Sequence, residues 1–149
     1  MKVSKQILLF LILLSILTSA SQSRSEDIIR IDVRTILASQ EKGSIDPRLK
    51  DLTKELQSVF RYSSYRLLRQ DRLNFNQKKS GKVSLPDNRV MNIISKGVSR
   101  NRVTLELEIY KTNSQIFQTV IHLRNNSSIT IGGPKYEGGN LLFIIFTSF

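Results

Sequence analysis

The stretch Thr130–Phe146, TIGGPKYEGGNLLFIIF, decides the fold of this 149-residue chain. Two glycine pairs flank Pro-Lys-Tyr-Glu, and a run of apolar residues follows them. A phosphate-cradling loop leads from a strand into a helix, because the helix N-terminus supplies free N–H groups. The run after these glycines is instead rich in β-branched and aromatic residues, which favour a strand. The pattern therefore predicts that one strand turns back on another.

The glycines of this stretch are predicted to be structural loop residues. Glycine adopts positive φ without steric cost, so the two pairs are expected at the two corners of a hairpin loop: Gly132, Gly133, Gly138 and Gly139. The run Leu141–Phe146 is apolar at every position. A strand that is apolar on both faces is usually covered on both sides, so this run is expected to be a central strand.

Upstream, the apolar pattern changes from strand to helix spacing and back. Ile29–Leu37 and Val103–Tyr110 both alternate apolar and polar residues, which is typical of half-buried strands. Between them, Asp46 and Pro47 are suited to an N-cap and a first helical position. Leucines at helical spacing follow, which predicts a helix over Pro47–Phe60. The sequence therefore predicts an α+β, mainly β fold, with one N-terminal helix packed on an antiparallel sheet or small β-sandwich.

The N-terminus has the pattern of a secretory signal. Lys2 and Lys5 precede the apolar run Ile7–Leu17, and small residues at Thr18–Ala20 suit a signal peptidase. An apolar run of about 7–15 residues is typical of a signal peptide, whereas a membrane-spanning helix needs about 20. We therefore predict a signal peptide over residues 1–20, a flexible leader over 21–27 and a single globular domain over 28–149.

This organisation predicts an exported protein, periplasmic or secreted and possibly peripheral to the outer membrane. No second apolar run reaches membrane-spanning length, so no transmembrane helix is expected in the mature chain. The chain has no cysteine, which excludes a disulfide framework, a thiolate zinc site and a thiol nucleophile. A secreted domain of this kind must rest on its hydrophobic core, which favours a bacterial envelope protein.

The positive charge is concentrated in one segment of the sequence. The formal net charge is +11, and the segment Arg61–Arg102 contains far more basic than acidic residues. The segments before and after it, Ser21–Phe60 and Val103–Phe149, are each balanced. Basic residues alternate with aromatic ones at the start of this segment, so we interpret these side chains as candidates for binding an anionic partner: Arg61, Arg66, Arg69, Arg72, Lys78, Lys79 and Lys82.

The export signal argues against nucleic acid as that partner, although basic and aromatic side chains together suit one. The polyanions outside the cytoplasm are acidic proteins, anionic lipids and acidic polymers. The expected partner is therefore an acidic envelope protein or an anionic lipid or polymer surface. The alternative is a basic surface that has no specific partner and only keeps the protein soluble.

Catalytic chemistry finds little support in the sequence. His122 is the only histidine and lies within a predicted strand, with no obvious partner acid near it in the sequence. Glu106 and Glu108 share one strand face about 6–7 Å apart, between the separations of retaining and inverting glycosidases. Acids on the polar side of an amphipathic strand more often form a solvated face. We therefore predict no enzyme, no catalytic residue, no metal site and no cofactor.

Two resemblances can be stated. The chain resembles small uncharacterised exported bacterial proteins in which a helix is followed by β structure. The resemblance rests on the stretch IDPRLKDLTKELQSVFRYSSYRLL, the predicted strands after it, and the stretch ITIGGPKYEGGNLLFIIF. The tail alone is similar to the glycine-containing C-terminal β region of secretins. The second resemblance covers about 25 residues, lacks the rest of the secretin core and implies only an envelope-assembly context.

The preferred hypothesis is an exported, non-enzymatic envelope binding or assembly protein that engages an acidic partner with a basic face. The first alternative is a small outer-membrane β-barrel protein, suggested by alternation in the last strand and an aromatic C-terminal residue. Strands shorter than the roughly 9–11 residues of a membrane strand speak against it. A hydrolase built on Glu106 and Glu108 is the third alternative.

Overall fold

The computed structural model describes residues 28–76 and 79–149. The predicted signal peptide, the leader and the candidate Lys78 lie outside the described residues. The described residues form eight strands, one 3-10 helix at Pro47–Leu49 and one α-helix, α1, at Thr53–Val59. The strands are β1 (Ile28–Ser39), β2 (Ser64–Asn76), β3 (Ser80–Leu85), β4 (Arg89–Ser99), β5 (Arg102–Lys111), β6 (Ser114–Arg124), β7 (Ser127–Tyr136) and β8 (Gly139–Ser148).

The eight strands of the described residues pair into two four-stranded antiparallel sheets. The first sheet has the order β2-β1-β8-β7, and the second has the order β3-β4-β5-β6. The chain crosses from one sheet to the other after β2 and again after β6. A continuous apolar core contains side chains from both sheets, as expected for a sandwich.

Strand β5 shows how the alternation of the sequence builds this core. Val103, Leu105, Leu107 and Ile109 are at most 1% exposed, whereas the residues between them are half-buried. Side chains alternate between the two faces of a strand, so one phase reaches the core and the other reaches solvent. The predicted strand and its inward phase are confirmed.

The first sheet has a second apolar cluster on the face that points away from the second sheet, which we call its outer face. Ile36 and Ala38 of β1 and Leu142 and Ile144 of β8 lie there, covered by the connecting segment, residues 40–63. Further towards the start of β1 the outward positions are occupied by the charged residues Arg34, Asp32 and Arg30. The connecting segment therefore covers one half and leaves the other open.

The predicted α+β class is wrong, and so is the N-terminal helix over Pro47–Phe60. Asp46 does accept a hydrogen bond from the backbone N–H of Arg48, but it begins only the three-residue 3-10 helix. Helix α1 has seven residues and no side-chain N-cap, well below the roughly 12–15 that sustain an isolated helix. The 3-10 helix and α1 carry Leu49 and Leu56 into the outer cluster, and the partner of each sheet is the other sheet. The described chain is thus a β-rich sandwich.

The C-terminal hairpin is confirmed, but its glycines act differently from the prediction. Strands β7 and β8 pair in antiparallel register, and β8 lies between β7 and β1 as a central strand. All four glycines are described, and only Gly138 has positive φ (72°). Gly132 and Gly133 lie inside β7 rather than at a corner. A Cβ on Gly133 would lie 2.4 Å from Phe143, and one on Gly139 would lie 2.3 Å from the carbonyl oxygen of Ala38.

Candidate functional site: an arginine-lined groove on the first sheet

The open half of the first sheet's outer face forms a groove of about 600 Å³. Residues of β2, β1 and β8 line this groove, and Asp51 and Leu52 of the connecting segment form one wall. We call this surface the outer groove; its main lining residues are Arg30, Asp32, Arg34, Asp51, Leu52, Gln70, Arg72, Asn74, Ile144 and Phe146. Its size falls within the range of ligand pockets, about 300–1,000 Å³.

The floor of the outer groove is apolar. Ile144 and Phe146 lie two residues apart on β8, so their side chains share the outer face. Ile144 is nearly buried beneath the connecting segment, whereas Phe146 is 40% exposed. Phe146 pairs with Asp32 of β1 on one side and with Ser128 of β7 on the other. An exposed aromatic ring is thereby set among polar neighbours in the middle of a sheet.

Arginine side chains surround this floor. The Nε atom of Arg72 lies 3.2 Å from Oδ2 of Asp32, and the Arg72 side chain is 82% exposed. Gln70 donates a 2.7 Å hydrogen bond to the same oxygen. Nη1 of Arg34 lies 3.6 Å from Oδ2 of Asp51. Within the described part of the chain, Arg30 makes no ion pair. The groove thus offers guanidinium groups that are exposed or only partly paired.

The candidates from the basic segment do not form one face. Nη2 of Arg66 lies 3.1 Å from Glu137, and Arg69 is paired with Asp71 at 2.7 Å. Arg72 alone of the described candidates lines the outer groove. Lys82 lies on the face of the second sheet that points to solvent, since it alternates with the buried Val83. Arg61 and Lys79 lie in loops at exposed positions.

Arg30, Arg34 and Phe146 line the outer groove but are not among the residues predicted from the sequence. The two arginines belong to a segment with balanced charge, so a count by segment passes over them. Their signal is the phase of β1, where arginines occupy two outward positions next to an apolar continuation. Phe146 is the last residue of the apolar run, so the expectation that β8 is covered on both sides hides its exposure.

Glu106 and Glu108 lie on the solvent face of the second sheet in a network of polar side chains. Glu106 is ion-paired with Lys96 and accepts a 2.6 Å hydrogen bond from Gln118. These donors lower the pKa of Glu106, the hydrogen bond of Lys96 most of all. Tyr110 donates to Glu108 over 3.3 Å. A general acid needs a raised pKa, so this arrangement stabilises a charged carboxylate rather than a proton donor.

His122 belongs to the same face. Its Nδ1 atom lies 3.0 Å from Oγ1 of Thr104, its cross-strand partner, and its side chain is exposed. Across residues 28–76 and 79–149, no three His, Cys, Asp or Glu side chains come together as metal ligands. In the same ranges, no helix is long and apolar enough to cross a membrane.

Comparison of the chain with protein-family models, with curated proteins and with solved structures gives no match. The function is therefore inferred from the residues of this chain alone.

Proposed function

We propose that the protein is an exported, non-enzymatic binding or assembly protein of the bacterial envelope, and that its outer groove engages an acidic segment of a partner protein. The observation that carries this proposal is the exposed Phe146 ring surrounded by Arg30, Arg34 and Arg72. The signal-peptide pattern of residues 1–20 supports the compartment.

The chemistry of the outer groove favours a protein over a lipid surface as the partner. Arginine and aromatic residues are enriched in the cores of protein interfaces, whereas lysine is depleted there. The basic residues that line this groove are arginines. A guanidinium matches the planar shape of a carboxylate and can bind it through two hydrogen bonds. The groove is concave and has an apolar floor, which suits a side chain better than a flat layer of head groups.

The expected occupant therefore carries both carboxylates and an apolar side chain. The carboxylates would contact Arg30 and Arg72 at the rim, and the apolar side chain would cover Phe146 and Ile144. Asp32 and Asp51 hold Arg72 and Arg34 in place through their ion pairs. The carboxylates of Asp32 and Asp51 also repel an acidic ligand. Apolar contact with the floor must therefore contribute to the affinity, in addition to the attraction between arginines and carboxylates.

The test is direct binding of a defined acidic peptide to the mature chain. The probe is a fluorescently labelled peptide of alternating glutamate and leucine, followed by fluorescence anisotropy. The double substitution Arg30→Gln with Arg72→Gln should weaken binding about tenfold, equivalent to about 1.4 kcal/mol. Phe146→Ser should weaken it by a similar factor, because the leucine contact is lost.

The matched control removes the same charge elsewhere, with Lys82→Gln and Arg102→Gln, which are exposed on the second sheet. It should change the affinity less than twofold. A peptide with serine in place of leucine should bind weakly, and so should vesicles rich in anionic lipid. Equal losses in the two double variants, or tighter binding to the vesicles, would refute the groove as the site of an acidic protein partner.

A further inference from the structure

Two arginines lie directly opposite each other on neighbouring strands of the second sheet. Arg102 begins β5 and Arg124 ends β6, and the antiparallel register pairs them. Both are exposed, and each follows or precedes a buried neighbour, Leu123 or Val103, so their side chains share the solvent face. Residues paired in this way have Cβ atoms about 4.5–5.5 Å apart, and like charges at that separation destabilise a sheet. The stability of the sheet therefore gives no reason for these two residues, which we call the arginine pair.

The arginine pair has no acid to neutralise it among residues 28–76 and 79–149. Neither guanidinium makes an ion pair or a hydrogen bond there. The first acid along β5 is Glu106, which is ion-paired with Lys96 and accepts a hydrogen bond from Gln118. Because two positive groups lie side by side without a counter-charge, they attract an anion to this position.

A third unpaired arginine lies in the adjoining turn. Arg100, between β4 and β5, is exposed and makes no ion pair within the described part of the chain. Its φ is 48°, in the left-handed region where two-residue hairpin turns prefer glycine, asparagine or aspartate. The turn itself thus does not require an arginine, and three basic residues gather at one end of the second sheet.

Hydrogen bonds hold the backbone at this end of the sheet. The N–H of Asn125, in the turn after β6, donates over 3.2 Å to the carbonyl oxygen of Asn101, in the turn before β5. The carbonyl oxygen of Arg124 accepts a 2.7 Å hydrogen bond from the hydroxyl of Ser127. The two turns are therefore joined, and the arginine pair extends from strand ends rather than from a free loop.

We propose that the arginine pair, with Arg100 beside it, binds a doubly charged phosphate group. A phosphomonoester carries a charge of about −1.5 to −2 at neutral pH and three acceptor oxygens. One such group can therefore accept charge-assisted hydrogen bonds from two guanidiniums at once. Thr104 and His122, the next residue pair on the same face, add a hydroxyl and an exposed imidazole to the site.

This phosphate site is separate from the outer groove, because the arginine pair lies on the solvent face of the second sheet. A carboxylate carries a single charge, and one guanidinium satisfies both of its oxygens. The glutamate–leucine peptide is therefore not the ligand expected here. The peptide control that includes Arg102→Gln distinguishes the two sites, since it removes half of the arginine pair and leaves the groove intact. The phosphate site thus holds or fails independently of the proposed function.

The test is an NMR titration of the mature chain at neutral pH and constant ionic strength, followed through the side-chain Nε–H signals of the arginines. The probes are inorganic phosphate and glycerol 3-phosphate, and the controls are acetate and dimethyl phosphate, which carry one charge each. Both probes should give saturable shifts at Arg102 and Arg124, and neither control should. Tighter binding of glycerol 3-phosphate identifies a phosphate ester as the preferred ligand, and tighter binding of inorganic phosphate identifies the free ion.

Arg102→Gln should weaken phosphate binding about tenfold, because one of the two guanidiniums is lost. Arg124→Gln should do the same. The matched control is Lys82→Gln, which removes one exposed charge from β3 on the same face of the sheet and should leave phosphate binding unchanged. Arg102→Gln should also keep the urea midpoint of wild type or raise it, since the substitution relieves the contact between like charges.

Three results would overturn the proposal. The first is no saturable shift with either phosphate. The second is a saturable shift of equal size with acetate, which would show that the arginines attract any anion. The third is unchanged phosphate binding in both Arg102→Gln and Arg124→Gln.

Discussion

At the scale of single residues, the hairpin glycines matter because the chain approaches them closely. Gly139 starts β8 against the backbone of Ala38 in β1, where a Cβ would meet the carbonyl oxygen at 2.3 Å. Backbone cannot move aside as a flexible side chain can, so even the smallest side chain forces the two strands apart. Gly132, in contrast, has only Phe60 nearby, at 3.8 Å from the same hypothetical atom.

Gly139→Ala should therefore destabilise the protein by about 1–3 kcal/mol, the usual cost of overpacking. Gly132→Ala is the matched control, with the same added methyl group on the same hairpin, and should change stability by less than about 0.5 kcal/mol. Urea unfolding of the two variants measures the difference. Equal effects would show that the contact with Ala38 does not limit this position.

At the scale of elements, Asp46 joins the connecting segment to the first sheet. One carboxylate oxygen accepts from the backbone N–H and Nε of Arg48, each at 3.0 Å. The other oxygen accepts from Nη2 of Arg48 at 2.6 Å and from the backbone N–H of Leu67 in β2 at 3.3 Å. The hydrogen bond from the Arg48 side chain is the main cause that lowers the pKa of Asp46 below its usual value.

This lowered pKa predicts a dependence of stability on pH. A carboxylate with a lower pKa in the folded state stabilises the protein above its unfolded pKa, about 3.9 for aspartate. That stabilisation is lost as the pH falls below this value towards the folded pKa. The urea midpoint of wild type should therefore fall more between pH 5 and pH 2 than that of Asp46→Asn.

Glu41→Gln is the control for this measurement, because Glu41 is exposed and makes no ion pair among the described residues. It should follow the pH dependence of wild type. If Asp46→Asn also follows wild type, the ion pair with Arg48 does not anchor the connecting segment.

The elements differ in how well they could be predicted from the sequence. Strand β5 and the central strand β8 follow from local patterns, because alternation and unbroken apolar runs depend on neighbouring residues only. The extent of the helix does not, since Leu49 and Leu56 reach the outer cluster from two short helices, in a segment held by Asp46 and by Tyr65 of β2. The outer groove could not be predicted either. Arg30, Arg72 and Phe146 meet only through the register of three strands that are distant in sequence.

At the scale of the whole molecule, the structure spreads the positive charge that the sequence concentrates. Arg66 and Arg69 are paired with acids, and Lys82 lies on the opposite side of the sandwich from Arg72. The outer groove instead joins Arg72 with arginines from a segment of balanced charge. A sandwich has two outer faces, so residues that are close in sequence can serve different surfaces.

The proposed compartment makes a prediction for the whole chain. Export should remove the residues up to about Ala20, because the apolar run and the small residues before this position match a signal peptide. Intact-mass measurement of the protein from its natural host gives the mass of the mature chain directly. A cytoplasmic product that retains Met1 to Ala20 would contradict the proposed export.

The central claim is that the outer groove of the first sheet is the binding surface, and NMR mapping tests it most directly. The amide signals of the mature chain are followed while the alternating glutamate–leucine peptide is added. We expect saturable shifts in residues 30–34 of β1, 70–74 of β2 and 144–148 of β8, with the solvent face of the second sheet unchanged. Saturable shifts centred on that second face, or no saturable shift in these three strands, would contradict the claim.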